Sequence, residues 1–235
     1  MSNAPTTIHH TTTSMNLLIK FPTRNRSQKF LRVYNQYKEL ASNPSTKIIA
    51  VIDPDDRMTK IACVNNDIDH ITTTGKGKIN AINTPLRLCD TYDILLLASD
   101  DMIPQVKGYD QIIIDKMREL YPDTDGVLWF NDGYTGSRLN TLVCAGRKYL
   151  DRFGYIYHPD YKSLWCDNEF MEIAQGIGKM TYIDQVIISH NHPMNIGSNM
   201  DELYRVNEAY YRQDEQTFKK RKEQGFPISS IYVTA

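Results

Sequence analysis

Short hydrophobic runs alternate with amphipathic segments along the first half of the chain. The runs at 15–21, 47–53 and 93–98 are apolar almost throughout, which is typical of strands buried on both faces of a parallel sheet. Between them, apolar residues recur at intervals of three and four, as in the segment 27–41 that Ser27 opens, and this spacing predicts helices. The alternation predicts an α/β fold in which helices flank a mostly parallel sheet.

The remaining pattern adds weaker elements, and its rhythm changes after residue 125. In the first half it predicts a strand at 70–74, a helix at 79–88 and a helix capped by Asp110. In the second half it predicts strands at 126–130, 139–145 and 182–189, a helix at 148–153, a helix from Asp167 and a charged helix at 200–224. Ligands of such sheets bind at the carboxyl ends of the strands, so polar residues that follow strands are the candidates for chemistry.

Length and charge describe one globular domain. The chain has 235 residues with 27 Lys and Arg against 28 Asp and Glu, a balance that argues against a protein that coats nucleic acid or anionic lipid. Its longest aliphatic run, at 94–98, is far shorter than the ~20 residues of a membrane span. We expect a flexible N-terminal leader at 1–14, a domain at 15–199, and a C-terminal helical extension at 200–235 packed on that domain.

The cysteines and the N-terminal segment indicate a cytoplasmic protein. The four cysteines show no CxxC spacing and are interpreted as reduced thiols. The first 14 residues lack the apolar core of a signal peptide. The sequence also lacks GxxxxGK[ST], GxGxxG, HExxH and GxSxG, which removes the commonest signals of P-loop ATPases, dinucleotide oxidoreductases, zincins and α/β-hydrolases.

An acidic pair follows the most hydrophobic strand, in the segment Ser99-Asp100-Asp101. Adjacent acidic pairs occur four times in the chain, against about three expected by chance, so the pair itself carries little information. Its position carries more, because carboxylates at the mouth of a buried parallel strand can meet a hard divalent cation that carries a diphosphate. A solvated turn is the alternative.

Two other strand ends carry polar groups. The segment Pro22-Thr23-Arg24-Asn25-Arg26 joins the first strand to the first helix, and guanidinium groups at a helix N-terminus suit phosphates. An ordinary loop with surface arginines explains it equally well. Asp53 ends the second strand and can accept hydrogen bonds from a base or a ribose, whereas Asp55 and Asp56 after Pro54 favour a turn.

The second half offers one further carboxylate and two imidazoles. Asp167 stands where a helix begins, either as an N-cap or as a general base, and cap hydrogen bonds would weaken it as a base. His190 and His192 are two residues apart in an extended segment and therefore face the same side. A neutral imidazole suits Mn²⁺ beside oxygen donors, and a purely structural role for the pair is equally open.

In order and spacing, these segments resemble the GT-A glycosyltransferases, especially the family-2-like inverting enzymes, over about residues 16–193. The segment 22–26 looks like their Pro-Thr-x-Asn-Arg turn, and the segment 99–101 looks like the DxD motif with Ser in place of the first acid. Asp167-Asn168-Glu169-Phe170 resembles the Glu-Asp-x-Asp-Leu segment that holds the catalytic base, with Cys166 in place of the preceding Glu. The resemblance implies a single-domain, Rossmann-like GT-A fold with a mixed sheet.

The resemblance also implies an activity, a cation and a set of site residues. It implies a metal-dependent inverting transfer of a hexose or pentose from a nucleotide-diphosphate sugar to an acceptor hydroxyl, with Asp167 as base. Mn²⁺ or Mg²⁺ would be held by Asp101 together with His190 or His192. The nucleotide sugar would be contacted by Pro22, Thr23, Arg24, Arg26, Asp53, Lys78, Asn83, Ser99 and Asp100. The sugar and acceptor site would be shaped by Trp129, Asn131, Asp132, Trp165 and Glu169.

Two alternatives stay open at this stage. A sugar-1-phosphate nucleotidyltransferase shares the sheet and the carboxylates, but it normally opens with a Gly-rich loop and a lysine. A non-catalytic glycan- or nucleic-acid-binding module is the other. The basic run 219–222 lies between Glu215 and Glu223 and is more often a solvated helix face. It leaves open a hydroxylated nucleobase in DNA as the acceptor, beside a glycan.

Overall fold

The structure is a computed structural model that describes residues 15–197 and 202–226. The strands are β1 (Leu17–Thr23), β2 (Lys47–Ile52), β3 (His70–Thr72), β4 (Ile94–Leu97), β5 (Met102–Pro104), β6 (Val127–Phe130), β7 (Cys144–Gly146), β8 (Met180–Ile183) and β9 (Ile188–His190). The helices are α1 (Ser27–Leu40), α2 (Arg57–Asn65), α3 (Lys78–Asn83), α4 (Tyr109–Leu120), α5 (Arg147–Asp151), α6 (Cys166–Gly176), α7 (Pro193–Ile196), α8 (Glu202–Glu208) and α9 (Tyr211–Glu223). The expected leader at 1–14, and the parts of the expected extension at 200–201 and 227–235, lie outside the described residues.

Seven strands form one mixed sheet in the order β3-β2-β1-β4-β7-β6-β8. The first four of these are mutually parallel, β7 runs antiparallel to both of its neighbours, and β8 is parallel to β6. β5 and β9 pair separately as a two-stranded antiparallel ribbon. The predicted fold class, a mostly parallel sheet flanked by helices, is confirmed.

The central strand β1 is buried on both faces. Leu17, Ile19 and Phe21 pack with side chains of α1 and α4, whereas Leu18 packs with side chains of α6 and α9 on the opposite face. Successive side chains of a strand point to opposite faces, so a strand covered on both sides needs apolar residues at nearly every position. This is why the run at 15–21 shows no alternation.

Lys20 is the polar exception in that run, and its ammonium group binds the C-terminal end of α3. Its Nζ donates to the carbonyl oxygens of Ile82 at 2.5 Å and Thr84 at 2.6 Å, at the end of α3. Burial lowers the pKa of this ammonium to about 8. The bonds matter for the site described below, because α3 begins with Lys78.

Helix α2 was not predicted from the sequence. It begins after Asp56, whose carboxylate accepts a hydrogen bond from the backbone N–H of Thr59 at 3.0 Å, an N-cap rather than the simple turn expected there. Met58, Ile61 and Val64 are all exposed. These three large apolar residues thus face outward, and the buried residues of α2 are the small Thr59 and Cys63. The sequence of α2 therefore lacks the inward-facing periodicity that identifies a helix.

Two predicted caps are wrong. Ser27 is the first residue of α1 and makes no cap hydrogen bond. Asp110 lies within the first turn of α4, which Gly108 precedes in the left-handed conformation at φ 79°. The Asp110 carboxylate instead accepts the backbone N–H groups of Ser42 and Asn43 at 2.9 Å each. It therefore fastens the loop after α1 to α4.

Other predicted boundaries also differ. The strand expected at 139–145 is shortened to β7, which begins only at Cys144. The strand expected at 182–189 divides into β8 and β9, which belong to different sheets. The charged helix expected at 200–224 divides into α8 and α9. Helix α3 stops at Asn83, five residues earlier than predicted, because the residue before Pro85 is sterically disfavoured from the helical region. No helix in the described ranges combines the length and hydropathy of a membrane span.

Candidate active site

The carboxyl ends of β1, β2 and β4 lie at one edge of the main sheet. These three strands are parallel neighbours, so the residues that follow them meet there. We call this the site edge and define it by residues 23–26, 53 and 99–101. It gathers the three polar segments that the sequence distributes over almost eighty positions.

The β5–β9 ribbon brings His190 to Asp101. Met102, next to Asp101, is the register partner of His190, and the backbone N–H of Asn191 donates to the Asp101 carbonyl at 2.7 Å. The His190 Nε2 lies 3.6 Å from Asp101 Oδ2. The ribbon thus brings together two residues that are 89 positions apart in the sequence.

Asp101 is a buried carboxylate with donors on both oxygens. The Ser99 hydroxyl donates to Oδ1, and the Tyr204 hydroxyl donates to Oδ2 at 2.6 Å. Burial by itself would raise the pKa of Asp101, but the His190 imidazole and the two hydroxyls outweigh burial and hold the pKa well below its usual range. Asp101 is therefore an anion at neutral pH, as a metal ligand must be.

Asp100 faces two cations instead of His190. Its Oδ1 accepts a hydrogen bond from Arg26 at 3.0 Å and lies 3.0 Å from Lys29 Nζ. Burial raises the pKa of Asp100, and the charges of Arg26 and Lys29 oppose that rise. The two neighbouring carboxylates thus have different partners, and the site edge carries two basic side chains beside them.

Tyr204 of α8 lies at the centre of this cluster, and no sequence pattern indicated its role. The Arg26 guanidinium carbon lies 4.2 Å from the centre of its ring, and Lys29 Nζ lies 5.5 Å from it. The His192 ring meets it edge to face with centroids 4.9 Å apart. In the sequence, a tyrosine within a charged helical segment cannot be distinguished from an ordinary surface tyrosine. Only the folded structure shows that Tyr204 lies among the charged side chains of the site.

A divalent cation fits the chemistry of this donor set. Asp101 and His190 offer one carboxylate oxygen and one imidazole nitrogen 3.6 Å apart, a combination that suits Mn²⁺. His190 Nδ1 and Thr23 Oγ1 are buried without a hydrogen-bond partner among the described residues. Within the same residues no group of three His, Cys, Asp or Glu side chains is arranged to hold a metal. The remaining ligands would come from water and from a bound phosphate, as is common for Mg²⁺ sites.

His192 borders the same cluster without facing Asp101 directly. Its Nδ1 accepts a hydrogen bond from the backbone N–H of Met194 at 3.4 Å, which caps α7. Burial is the main cause that lowers the pKa of His192. The negative charge of Asp101 opposes this lowering, and the neighbouring His190 adds to it. Of the two predicted histidines, His190 is the one that the structure places against the acid.

The end of the site edge at Arg24 and Asp53 is held by ion pairs. Arg24 donates to the buried carboxylate of Asp53, which also accepts the backbone N–H of Gly77 at 3.0 Å. Asp55 pairs with Lys76 at 2.6 Å. Arg24 and Asp53 therefore lie together, and each neutralises the charge of the other. Contact of either side chain with a nucleotide sugar stays a prediction.

Asp167 is the second residue of α6 and is half-buried. Trp165, not Asp167, occupies the N-cap position and adopts φ 62°, a left-handed conformation that is uncommon for an aromatic residue. Asp167 Oδ1 accepts only the adjacent Asn168 N–H, at 3.0 Å, among the described contacts. The carboxylate is thus spared most of the cap bonds that would weaken it as a base.

The loop before α6 is anchored by Asp214 of α9, a residue that sequence reasoning missed. This carboxylate is fully buried and accepts the backbone N–H groups of Lys162, Ser163 and Leu164 at 2.8–2.9 Å. From the other side, Lys78 Nζ donates to the Ser163 carbonyl at 2.8 Å. An acid in a strongly charged helix gives no sequence signal of this kind, although Asp214 fixes the loop that leads to Asp167.

Several predicted sugar-binding residues have structural partners instead. Asn83 Oδ1 accepts the backbone N–H groups of Ile156 and Tyr157 at 3.0 and 3.1 Å. The Trp129 indole is 4% exposed and packs edge to face against Tyr182. Asn83 and Trp129 were predicted as binding residues because amide and indole side chains can either contact a sugar or pack inside the protein. Contact of Asn83 or Trp129 with a sugar stays a prediction.

The same applies to the turn after β6 and to Glu169. Asn131 donates to Asp184 at 2.8 Å, and the Asp132 carboxylate caps the backbone of its own turn. The carbonyl of Asp132 accepts the His190 N–H at 2.9 Å, so this turn holds the backbone of His190 in place. Glu169 is bound by Tyr161 and Arg221. Sugar contacts of these side chains also stay predictions.

The basic run 219–222 is largely paired. Arg221 donates to Glu169 with Nε at 2.7 Å and with a terminal nitrogen at 2.8 Å. Lys219 pairs with Glu215 at 2.8 Å, and Lys222 pairs with Glu172 at 2.7 Å. The exposed pairs of Lys219 and Lys222 match the expected solvated, charge-compensated face, whereas Arg221 departs from it because its side chain is only 13% exposed. None of these contacts supports a nucleic-acid surface.

Solved structures of glycosyltransferases share this fold at low sequence identity. The mannosyltransferase PcManGT from Pyrobaculum calidifontis, solved with GDP-Man and Mn²⁺, has a TM-score of 0.60 at 15% identity over 76% of this chain and 57% of its own. Glucosyl-3-phosphoglycerate synthase from Mycobacterium tuberculosis, solved with Mn²⁺, UDP-Glc and phosphoglyceric acid, gives 0.61 at 13% identity over 91% of this chain and 81% of its own. TarS from S. aureus gives 0.55 at 12% identity over 88% and 43%.

These likenesses confirm the predicted fold, that of the GT-A type glycosyltransferases. The chain spans 57% of the mannosyltransferase chain and 43% of TarS, so those proteins contain further segments. No protein-family model matches the sequence, and a search of the curated proteins finds no significant match.

Proposed function

We propose that the protein is a metal-dependent inverting glycosyltransferase. It transfers a sugar from a nucleotide-diphosphate sugar to the hydroxyl of an acceptor, for which a glycan is our first candidate. The observation that carries the proposal is the pairing of Asp101 with His190 at the site edge, beside Arg26 and Lys29. Carboxylate, imidazole and two basic side chains at one strand edge suit a cation and a diphosphate together.

The donor would lie along the site edge. Arg24 and Asp53 stand at the end where the nucleoside would bind, with Pro22 and Thr23 beneath it and Lys78 at the start of α3. Arg26 would exchange part of its bond to Asp100 for the phosphate oxygens. A guanidinium recognises such oxygens through paired N–H donors, which a lysine does not supply.

Asp101 and His190 would hold Mn²⁺ or Mg²⁺. When bound, such a cation neutralises the charge that develops on the departing nucleoside diphosphate. The chain's own contribution is to hold both ligands in place, through the β5–β9 ribbon and through the hydroxyls of Ser99 and Tyr204.

Asp167 would act as the general base. It takes the proton of the acceptor hydroxyl while that oxygen forms a bond to the anomeric carbon from the side opposite the diphosphate. The bond between the anomeric carbon and the diphosphate oxygen breaks in the same step, and its electron pair leaves with the nucleoside diphosphate. One displacement of this kind inverts the configuration. A base placed in this way contributes typically 10²–10⁴-fold to a rate.

Replacing Asp167 by Asn tests the base. The variant keeps the shape of the side chain and should lose about 10²–10⁴-fold in kcat while it still binds donor. Glu172→Gln on the same helix is the matched control, because Glu172 is an exposed partner of Lys222. Transfer at the wild-type rate by folded Asp167→Asn would remove the assignment.

A thermal-shift screen of UDP, GDP, CDP and dTDP, each with and without Mn²⁺, tests the donor class. A ligand that binds only the folded state stabilises it by RT ln(1 + [L]/Kd), about 2.7 kcal/mol at one hundred times Kd. We expect one nucleotide to stabilise the protein in the presence of Mn²⁺ and to lose this effect in Asp101→Ala. Equal, metal-independent shifts with all four nucleotides would contradict the proposal.

A further inference from the structure

Tyr204 contacts three of the charged side chains at the proposed cation and diphosphate site, Asp101, Arg26 and Lys29. Its hydroxyl donates to Asp101 Oδ2 at 2.6 Å and lies 3.5 Å from Lys29 Nζ. Its ring lies beneath the Arg26 guanidinium and meets the edge of His192. The residue is only 7% exposed, although α8 belongs to the charged C-terminal part of the chain. One aromatic side chain thus joins α8 to three separate segments of the site.

The hydroxyl of Tyr204 settles the orientation of the Asp101 carboxylate. A carboxylate can rotate about its last bond, and two donors on different oxygens prevent that rotation. Ser99 supplies one donor and Tyr204 supplies the other. The oxygen that Tyr204 contacts, Oδ2, is the one that lies 3.6 Å from His190 Nε2. Each carboxylate oxygen has two lone pairs, so Oδ2 can accept this bond and still serve a cation.

The ring of Tyr204 has a separate effect on the basic side chains. Cations over the face of an aromatic ring are attracted by its quadrupole. The guanidinium of Arg26 at 4.2 Å and the ammonium of Lys29 at 5.5 Å are both held in this way, next to Asp100. The ring therefore keeps two phosphate-binding groups in place through contacts that do not use up their N–H donors.

We propose that Tyr204 is a positioning residue of the cation site: its hydroxyl holds Asp101 in the orientation that binds the cation together with His190. The proposal rests on the proposed function and adds to it a residue from α8. Replacing a residue that hydrogen-bonds to a metal ligand typically weakens metal affinity by about 10–100-fold, because that residue orients the ligand before the metal binds. The opposite possibility, that Tyr204 blocks the site and must withdraw, predicts the opposite change in affinity.

The test is the affinity for Mn²⁺ of full-length wild type and Tyr204→Phe. Phe keeps the ring beneath Arg26 and removes only the hydroxyl, so the fold is retained. Binding is followed by the loss of the free Mn²⁺ signal in electron paramagnetic resonance, with Mn²⁺ alone and with each of the four nucleoside diphosphates. We expect about tenfold weaker binding in Tyr204→Phe. Tyr210→Phe, the same exchange at the junction of α8 and α9, should bind as the wild type does.

Steady-state kinetics supply a second reading. In Tyr204→Phe the Mn²⁺ concentration that gives half of the maximal rate should rise by the same factor, while kcat at saturating Mn²⁺ stays within about twofold of wild type. Ser99→Ala, which removes the donor on the other oxygen, should weaken Mn²⁺ binding in the same direction. A general loss of structure would instead lower kcat and the folded fraction together, which circular dichroism detects.

Three results would overturn the proposal. Equal Mn²⁺ affinity in wild type and Tyr204→Phe would show that the hydroxyl positions nothing. Tighter binding by the variant would show that Tyr204 obstructs the site. Absence of Mn²⁺ binding by the wild type, alone and with every nucleotide, would refute the proposed function itself and this inference with it.

Discussion

Glu169 offers a sharp distinction between a structural role and a role in substrate binding. The carboxylate is 2% exposed and accepts three hydrogen bonds, from Arg221 at 2.7 and 2.8 Å and from the Tyr161 hydroxyl at 2.8 Å. These bonds join α6, which carries Asp167, to α9. The perturbation we choose is Glu169→Gln, which keeps the size of the side chain and removes its charge.

The cost follows from the burial of both partners. Arg221 has a side chain only 13% exposed, so loss of the carboxylate leaves a nearly buried guanidinium without its counter-charge. Breaking a buried ion pair from one side costs about 3–5 kcal/mol. Gln still offers one acceptor oxygen, so we expect about 3 kcal/mol, the lower end. That is a large part of the about 5–15 kcal/mol by which a domain is stable.

Equilibrium unfolding in urea measures this cost. With an m value of about 3 kcal/mol/M, a loss of about 3 kcal/mol lowers the midpoint by about 1 M. The control is Glu215→Gln, since Glu215 and Lys219 form a surface ion pair within α9. This variant should change the free energy of unfolding by no more than about 0.5 kcal/mol. In the double variant Glu169→Gln with Arg221→Met, at least half of the loss should be recovered, because no uncompensated charge remains.

A midpoint shift below about 0.3 M in Glu169→Gln would refute this reasoning, since it would place the pair among surface ion pairs. Kinetics separate the remaining roles. If Glu169 contacts the acceptor, the variant should raise the acceptor KM even at temperatures where it is fully folded. If its role is to join two helices, the KM for the acceptor should stay as in wild type under those conditions.

Three further outcomes are expected. Asp214→Ala, which removes the acceptor of three buried backbone N–H groups, should destabilise the protein by at least about 3 kcal/mol in urea and expose the loop around Ser163 to hydrogen exchange; protection equal to wild type would contradict this. The hydrogen bond from Arg152 lowers the pKa of Asp125 to about 2, below the unfolded value of about 3.9. The ionised carboxylate should therefore add about 1–2 kcal/mol to the free energy of unfolding above pH 4, and this contribution should disappear as the pH falls through 2. The difference in stability between wild type and Asp125→Asn should accordingly close in acid. In the native protein Cys89 alone should react rapidly with a disulfide reagent, because the other three cysteines are buried and burial raises the pKa of each of them; a native count above one would contradict the fold around them.

Elements with strong local patterns were predictable from the sequence. The apolar runs gave β1, β2 and β4, because a strand buried on both faces needs apolar residues throughout. Helix α2 was not predictable, since its exposed side carries Met58, Ile61 and Val64. The division between β8 and β9 was also not predictable, because the composition of a short apolar segment does not determine which sheet it joins.

The site divides in the same manner. Sequence alone determined that acids, arginines and histidines follow the strands, and strand order in a parallel sheet then places the first groups at one edge. Only the tertiary structure decided that His190 faces Asp101, that Tyr204 donates to the same oxygen, and that Asp214 anchors the loop before α6. Periodicity is a property of neighbouring residues, whereas these bonds join residues 51 to 103 positions apart and form because burial leaves no water to take their place.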